Sequence, residues 1–419
     1  MMRKLPVFVL MLFCGCVPTS QNVSGFAFAI EVYNPLETGR KNVLVRLTKG
    51  DLTKTIPDFD SAAKGFRVVD REAEIANEYA NGAFVVILDS MKAKERRSLN
   101  VYYVSEPSGY RKRTQAELSH KVGGEWKDRK YIGGQFQNVS KLSVPPEHKD
   151  HSLFIRYEGP GWESDLVGYR LYLDQRNAID VFGKKTNDMV LMGVGQDGFA
   201  SYHELQSWGM DVMKVGGSLG LGSLGMWVDT TAIRVEKTDS VLCAVRDGSL
   251  SSSVSIAYHG WDTPKGTVDV SSWLYIHAGT RWTLAENNVM GQDQLCTGIV
   301  KDVKAKLYKS PGNDSTLGYI ATYGKQSLND DKLGLALLFD HRAFSGFQED
   351  ANSHIVELQN SDTRATTSPV PFSKIDYYFA AAWEQEPGGI TNEADFMKYV
   401  ERSARELANP VVITVKEPR

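Results

Sequence analysis

The sequence has few cysteines and lacks the short patterns that mark common nucleotide and zinc sites. Four cysteines occur among 419 residues, and none forms a C-x-x-C pair. The glycine-rich run GGSLGLGS lacks the lysine of a phosphate-binding loop, and a strand-like segment follows it instead of a helix. HELQS begins like a zinc-protease motif but has Ser207 where the second histidine is required. These absences argue against nucleotide-binding and zinc-protease functions.

The chain also lacks an excess of charge, a long apolar run and an internal repeat. Its 48 basic and 51 acidic residues give a net charge of -3, which does not favour nucleic acid as a partner. The longest early apolar run, Leu5 to Phe13, is far shorter than the roughly 20 residues that span a bilayer. The absence of a repeat argues against a propeller or solenoid. A hydrophobic content of 42% can supply a substantial core.

The N-terminus predicts a targeting segment over residues 1–20. A basic start precedes the apolar run, and a glycine stands directly before Cys16. This pattern resembles a bacterial lipoprotein signal with Cys16 as the lipidated residue, and an ordinary signal peptide cleaved near Ser20 is the alternative. We therefore expect an exported protein, either an outer-membrane lipoprotein held by its lipid anchor or a periplasmic one.

Export leaves two cysteines, Cys243 and Cys296, in the mature chain. An oxidising compartment permits a disulfide between them, and two buried thiols are equally consistent with the sequence.

Alternating apolar residues predict antiparallel strands along most of the chain. Runs such as FAFAIEVYN and AFVVIL predict an N-terminal β-sandwich over residues 26–105. A polar stretch predicts a connection over 106–150. Further runs, LFIRYE, VGYRLYL, VSIAYHGW and DYYFAAAW among them, predict a large antiparallel sandwich over 151–419.

One helix is predicted near the C-terminus. Asn392 can cap it, Phe396, Tyr399 and Val400 share one face, and Pro410 stops it. Since little other helix is indicated, a doubly wound nucleotide-binding fold is disfavoured.

Two stretches concentrate polar and aromatic residues, 157–185 and 202–223. In the first, strand alternation places Arg170 and Tyr172 on one face and apolar residues on the other. Charged and phenolic groups on a strand face are better suited to a cleft than to a core. We interpret residues 163–185 and 202–223 as facing walls of a saccharide cleft, with glycines that let the backbone approach a ligand closely.

Three blocks carry a resemblance to a known family: WESDLVGYRLYLDQRNAIDVFGKK, YHELQSWGMDVMKVGGSLGLGS and YYFAAAWEQEPGGI. They resemble a family of secreted bacterial proteins classed as a domain of unknown function and typically encoded in polysaccharide-utilisation loci. One protein assigned to it dehydrates ulvan oligosaccharides, forming the 4,5-unsaturated uronate that unsaturated glucuronyl hydrolases consume. The resemblance implies an all-β protein, a small sandwich followed by a supersandwich of the galactose-mutarotase type, that acts beside such hydrolases and lyases.

Dehydration of a uronate requires removal of a proton α to a carboxylate and loss of the 4-hydroxyl. A histidine near neutral pKa can take the proton, a tyrosine can protonate the leaving hydroxyl, and a cationic side chain can neutralise the carboxylate. The predicted catalytic residues are His203, Arg170, Tyr172, Tyr202 and Lys214. The predicted substrate-binding residues are Trp162, Glu163, Asp180, Lys184, Lys185, Trp208, Asp211, His259 and Trp383.

The sequence is also consistent with three other functions. A chain-cleaving polysaccharide lyase uses the same proton abstraction. A glycoside hydrolase would use two carboxylates, such as Glu163 with Asp211 or Glu384. A glycan-binding surface lipoprotein would use the tryptophans as a platform. No cofactor is predicted, and the acidic residues leave a divalent cation such as calcium open although no calcium-loop motif occurs.

Overall fold

The structure is a computed structural model that describes residues 23–360 and 372–417. Antiparallel strands make up most of these residues, which confirms the predicted all-β class. In chain order the strands are β1 (Val23–Tyr33), β2 (Arg40–Thr48), β3 (Gly65–Asp70), β4 (Ala73–Ile75), β5 (Asn77–Ala80), β6 (Ala83–Met91), β7 (Arg96–Val104), β8 (Thr114–Glu117), β9 (Ser119–Lys127), β10 (Lys130–Asn138), β11 (Lys141–Ser143), β12 (Gly161–Ser164), β13 (Val167–Leu171), β14 (Ile179–Lys184) and β15 (Gly209–Asp211). They continue as β16 (Leu221–Val228), β17 (Thr231–Arg234), β18 (Ser240–Arg246), β19 (Ser251–Thr263), β20 (Gly266–His277), β21 (Thr283–Met290), β22 (Gln294–Val300), β23 (Ala305–Ser310), β24 (Gly318–Gly324), β25 (Leu333–Phe339), β26 (Phe344–Glu349), β27 (Ser353–Gln359), β28 (Ser373–Trp383) and β29 (Val412–Lys416). The helices of the described ranges are α1 (Lys49–Thr55) and α2 (Glu393–Ala408), and 3-10 turns span Arg156–Glu158, Leu191–Gly193 and Ser201–His203.

A small sandwich is built from both ends of the described chain. A five-stranded sheet in the order β29-β1-β7-β3-β4 shares one core with a three-stranded sheet in the order β2-β6-β5. In β2, Val43, Val45 and Leu47 alternate with more exposed neighbours and turn into this core. Strand β29 pairs antiparallel with β1. The small sandwich therefore includes a strand far beyond the range 26–105 that its sequence pattern predicts.

The large sandwich places one wide sheet against two narrower sheets. The wide sheet has nine strands in the order β11-β18-β19-β20-β21-β28-β25-β24-β23. The narrower sheets have the orders β17-β16-β22-β27-β26 and β15-β14-β13-β12-β8. All three contribute to one apolar core, for example through Ile256, Val356 and Val181. The sheet β15-β14-β13-β12-β8 carries the candidate functional residues and is called the site sheet below.

Helix α2 covers the outer face of the nine-stranded sheet. The Asn392 side chain accepts a hydrogen bond from the Asp395 backbone N–H, which confirms the predicted N-cap. Phe396, Val400 and Ala404 recur at helical spacing and pack on the face of β24, β25 and β28 that points away from the large core. The amphipathic pattern of the sequence thus identified both the helix and its buried side.

Residues 106–150 are not the polar connection that their composition predicts. They contain β8, which joins the site sheet, and β11, which joins the nine-stranded sheet. Between them, β9 and β10 form a largely exposed two-stranded ribbon. Because neither face of that ribbon is buried throughout, it lacks the apolar alternation that reveals a strand.

Two further segments differ from the prediction. The run LFIRYE forms an isolated bridge and a 3-10 turn, with Tyr157 and Glu158 at positive φ of 35° and 73°, instead of a strand. Helix α1 was not predicted, although its capping box of Thr48 and Asp51 is a readable start signal.

The predicted signal over residues 1–20, with Cys16, lies outside the described residues. No helix within the described ranges is long and apolar enough to cross a membrane. Cys243 in β18 and Cys296 in β22 are buried free thiols. The disulfide that the sequence left open is therefore not formed in this structure.

Candidate active site

The two faces of the site sheet have opposite character. Tyr169 and Val181 turn into the large core, whereas Arg170 and Asp180 turn to the other face and stand directly opposite each other in the β13–β14 ladder. The same outer face carries Asp211 at the end of β15. This alternation, predicted from the sequence, gathers charged groups from three strands on one side of the sheet.

A buried arginine is the centre of this polar face. Arg170 Nη2 donates to Asp180 Oδ2 at 2.7 Å, to Asp211 Oδ2 at 2.6 Å and to the Tyr172 hydroxyl at 2.8 Å. Its Nη1 donates to the Tyr202 hydroxyl at 3.0 Å, and the Tyr172 hydroxyl donates to Asp180 Oδ2 at 2.6 Å. All five side chains are buried, and they are called the Arg170 cluster below. A planar guanidinium suits such a cluster because its donors point in fixed directions.

His203 stands at the solvent edge of the Arg170 cluster. It ends the 3-10 turn that begins at Ser201, and its Nδ1 is 3.4 Å from Asp211 Oδ2. The side chain is 47% exposed. Partial burial and the charge of Arg170 lower the pKa of the imidazole. This shift favours the neutral imidazole, which has a carboxyl group beside one ring nitrogen.

The tyrosines of the cluster are acids held in their protonated form. Burial raises the pKa of Tyr172 well above its ordinary value and that of Tyr202 to about 12. The Tyr172 proton is committed to Asp180. The Tyr202 hydroxyl accepts from Arg170, so its own proton is directed to another acceptor. Base and acids with pKa values displaced in opposite directions thus share one cluster.

Asp211 is the carboxyl group of the cluster whose pKa is displaced. Burial and the neighbouring Asp180 raise the pKa of Asp211 far above its ordinary value, although Arg170 opposes the rise. The surroundings therefore favour the protonated form of Asp211.

A second arginine borders the cluster on its open side. Arg176 lies over the Tyr172 ring at 3.8 Å, donates from Nη2 to Glu158 Oε1 at 2.8 Å and pairs through Nη1 with Asp150 Oδ1 at 2.9 Å. Burial would raise the pKa of Glu158, but Arg176 and Arg170 lower it, and the net shift is downward. Sequence reasoning missed Arg176 and Glu158 because the turn that presents Glu158 was interpreted as a strand.

Asp150, His151 and Glu158 have ligand atoms within 4.8 Å of one another. Oxygen and imidazole donors at this spacing fit a divalent cation. Arg176, however, already places positive charge on both carboxylates. The sequence predicts no cofactor and leaves a divalent cation such as calcium open, which titration of the chelator-treated protein with calcium would test.

Glu163 and Lys184 are sealed beneath residues 185–208, which cover part of the site sheet and are called the cover segment. Lys184 Nζ donates to Glu163 Oε2 at 2.6 Å, and Glu163 also accepts from the backbone N–H groups of Val190 and Leu191. Both side chains have no exposed surface. The substrate-binding roles predicted for them are wrong, since this ion pair anchors the cover segment instead.

The tryptophans predicted to bind substrate are mostly core residues. Trp162 and Trp383 are buried in the large core, where their indole N–H groups donate to Thr283 and Asp331. Their predicted binding roles are wrong because the core face of the sheets contains them. Trp208 is half-buried and packs edge-on against Phe182.

Three other predicted residues are exposed. Among the described contacts, none joins Lys185, Lys214 or His259 to the Arg170 cluster. Lys185 and Lys214 lie beyond the ends of β14 and β15, and His259 lies in β19 of the nine-stranded sheet.

Two glycines of residues 202–223 lie tightly against neighbouring strands. A Cβ at Gly220 would lie 2.1 Å from the Ile179 carbonyl oxygen, and one at Gly222 would lie 2.6 Å from the Phe379 ring. Both residues also have positive φ, at 64° and 80°. The close approach at these two positions is therefore to neighbouring strands and not to a ligand. Residues 202–211 are the part of this stretch that contributes to the candidate site, through Tyr202, His203 and Asp211.

Together, fold and site define an all-β protein of two sandwiches in which a histidine and two buried tyrosines lie around one arginine. The chain belongs to the family described as Domain of unknown function (DUF4861), whose model matches residues 32–413. No protein of curated function matches the sequence.

Two solved structures match this chain at TM-scores below 0.5. An alpha-mannosidase from Enterococcus faecalis shares 8% identity at a TM-score of 0.47, and the match covers 94% of this chain and 46% of that one. A protein in the Glycosyl Hydrolase Family 38 from Enterococcus faecalis shares 8% identity at a TM-score of 0.43, with 94% and 48% covered. The chain spans about half the length of these two proteins. Such low identity says nothing about activity.

Proposed function

We propose that the protein is a carbon–oxygen lyase that removes water from a uronate at the non-reducing end of an oligosaccharide. The observation that carries this proposal is the neutral His203 beside the protonated tyrosines of the Arg170 cluster. An elimination needs this combination, because one group must take a proton while another gives one.

In the proposed reaction, His203 takes the C5 proton through Nε2. The electron pair of the C5–H bond forms the C4–C5 double bond, and the C4–O bond breaks. Tyr202 protonates the departing hydroxyl, so the products are one water and a 4,5-unsaturated uronate. We assign the acid to Tyr202 because Tyr172 already donates its proton to Asp180. Asp211 faces Nδ1 of His203 at 3.4 Å and orients the imidazole for this transfer.

The C5 proton becomes acidic only when the substrate carboxylate is neutralised. The direct contact predicted for Arg170 does not fit, because that guanidinium is buried and donates to the cluster from all three nitrogens. All three nitrogens of Arg176 are also paired, with Asp174, Glu158 and Asp150. Arg176 nevertheless suits the role better, because Asp150 is exposed and a pair with an exposed partner contributes only about 0–1 kcal/mol. A substrate carboxylate can therefore replace Asp150 on Nη1.

Two of the alternative functions, a glycoside hydrolase and a glycan-binding platform, depend on residues that are inaccessible or occupied by other contacts. Neither carboxylate pair suggested for a hydrolase flanks a sugar: Glu163 is sealed against Lys184, and Glu384 accepts from the Lys332 backbone N–H at the end of β28. For a binding platform, the core tryptophans are inaccessible. A chain-cleaving lyase would use the same base and differ in the group that leaves C4.

The test is mass spectrometry of saturated, uronate-terminated oligosaccharides after incubation with the protein. The proposal predicts loss of one water from each molecule, an unsaturated chromophore and unchanged chain length. Shorter unsaturated products would indicate chain cleavage, and shorter saturated products a hydrolase.

We further propose, from the sequence alone, that the protein is exported and held at the outer membrane through Cys16. A Cys16→Ala variant should then leave the membrane fraction. The 4,5-unsaturated product of the proposed reaction would be a substrate for unsaturated glucuronyl hydrolases in the same compartment.

A further inference from the structure

A cavity of about 430 Å³ lies between the small sandwich, the nine-stranded sheet and helix α2. Its walls come from β2, β20, β21, β28 and α2. Small-molecule sites typically have volumes of about 300–1,000 Å³. The cavity is separate from the Arg170 cluster: Tyr169, on the core face of the site sheet, donates to the Arg281 carbonyl oxygen at the cavity wall. A ligand there cannot reach His203.

Aromatic rings form part of the cavity wall. Trp282 and Tyr399 stack at a centroid distance of 5.8 Å and an interplanar angle of 16°, and Tyr275 and Tyr378 also line the space. The indole N–H of Trp282 is buried and has no hydrogen-bond partner within the described residues. Buried indole N–H groups usually find an acceptor. This donor therefore points to a ligand that supplies an oxygen.

The charge of the wall is positive. Five basic side chains line it against two acidic ones: Arg40, Lys41, Arg46, Arg281 and Arg402 against Glu286 and Glu406. Of the arginines, Arg40 donates to backbone carbonyl groups and Arg281 pairs with Glu386, so both are occupied. Arg46 and Arg402 are exposed. Arg402 pairs with Glu406 at 3.7 Å, and Arg46 lies over the Tyr275 ring at 5.4 Å. An exposed pair of this length is weak, so an anionic group can replace Glu406 on Arg402 and can bind Arg46 directly.

We propose that this cavity binds an acidic saccharide, with a sugar ring against Trp282 and Tyr399 and a sulfate or carboxylate on Arg46 and Arg402. Sugar rings present apolar C–H faces that pack on aromatic rings, while their oxygens accept hydrogen bonds. Guanidinium groups bind sulfate and carboxylate through paired donors. The proposal goes beyond the elimination reaction and does not depend on it.

The test is calorimetric titration of the full chain with a chondroitin sulfate tetrasaccharide, and with cellotetraose as the neutral probe. The protein should bind the acidic probe more tightly, and added salt should weaken that binding. A double variant, Arg46→Gln with Arg402→Gln, should lose at least about tenfold in affinity, since it removes the charged hydrogen bonds to the anionic group. Trp282→Phe keeps the stacked ring and removes the N–H, so it should weaken binding less.

Two control variants make the result specific. Arg405→Gln removes an exposed arginine from the same helix outside the cavity, and His203→Ala removes the proposed base. Both should bind the probe like the unmodified protein. Equal binding of the two probes, no binding, or an equal loss in the Arg405→Gln variant would overturn the proposal. The double variant changes only exposed side chains, so it carries the test even if Trp282→Phe is unstable. Failure of the elimination reaction would appear instead as absent water loss, with binding unchanged.

Discussion

Replacing Arg170 with methionine tests whether one buried positive charge holds the cluster together. Arg170→Met leaves the carboxyl groups of Asp180 and Asp211 adjacent and without a cation, and it removes the donor to Tyr202. Removing one partner of a buried ion pair costs about 3–5 kcal/mol. We expect a loss of this size in the free energy of unfolding at neutral pH.

The loss should become smaller in acid. Burial and the neighbouring Asp180 raise the folded-state pKa of Asp211 above the unfolded value, near 3.9, and without Arg170 the main opposition to that rise is lost. A raised folded-state pKa favours the folded state most below the unfolded value, and this contribution disappears as the pH rises through the folded-state pKa. The stability difference from the unmodified protein should therefore narrow between about pH 7.5 and about pH 5.

Urea denaturation at both pH values measures this difference. The matched control is Arg111→Met, because Arg111 pairs with Asp188 where 62% and 74% of the two side chains are exposed. An exposed pair contributes within about 1 kcal/mol. If Arg170→Met costs no more than this control, or if its cost is the same at both pH values, the reasoning about the cluster is refuted.

Three predictions concern activity. Tyr202→Phe should lower kcat by about 10²–10⁴-fold, and Tyr172→Phe should lower it less, as measured by absorbance of the unsaturated product; equal losses would contradict the choice of acid. The value of kcat/KM should rise with pH as His203 loses its proton. The midpoint of this rise should lie below the ordinary histidine pKa of about 6.5, because partial burial lowers the pKa of His203. A midpoint above about 6.5 would show that His203 is not the base in the free enzyme. Arg176→Gln should lower kcat/KM by about 10²-fold. Asp150→Asn should leave KM unchanged or lower it, because Asp150 then no longer competes with the substrate carboxylate for Arg176. Similar losses in both variants would contradict the displacement of Asp150.

Strand alternation made much of the site predictable. A period of two residues sets Arg170 and Tyr172 on one face, and the short connection from β13 to β14 brings Asp180 opposite. The density of polar residues after residue 202 pointed to His203. These signals are local, so a single sequence carries them.

Burial of the outer face could not be predicted in the same way. Alternation assigns Glu163 and Lys184 to the polar face, but only the path of the cover segment over that face decides that they are sealed. Glu158 and Arg176 meet through a turn at positive φ, which has no periodic signal. The return of β29 to the small sandwich is a long-range pairing that composition does not reveal.

The central claim is that His203 removes the C5 proton of a uronate. Its most direct test is the rate of water loss from a saturated uronate oligosaccharide, measured by mass spectrometry for the unmodified protein, His203→Ala and the exposed control His259→Ala. We predict full activity in the control, a loss of about 10²–10⁴-fold in His203→Ala, and partial recovery when imidazole is added. Undiminished water loss in His203→Ala would contradict the account.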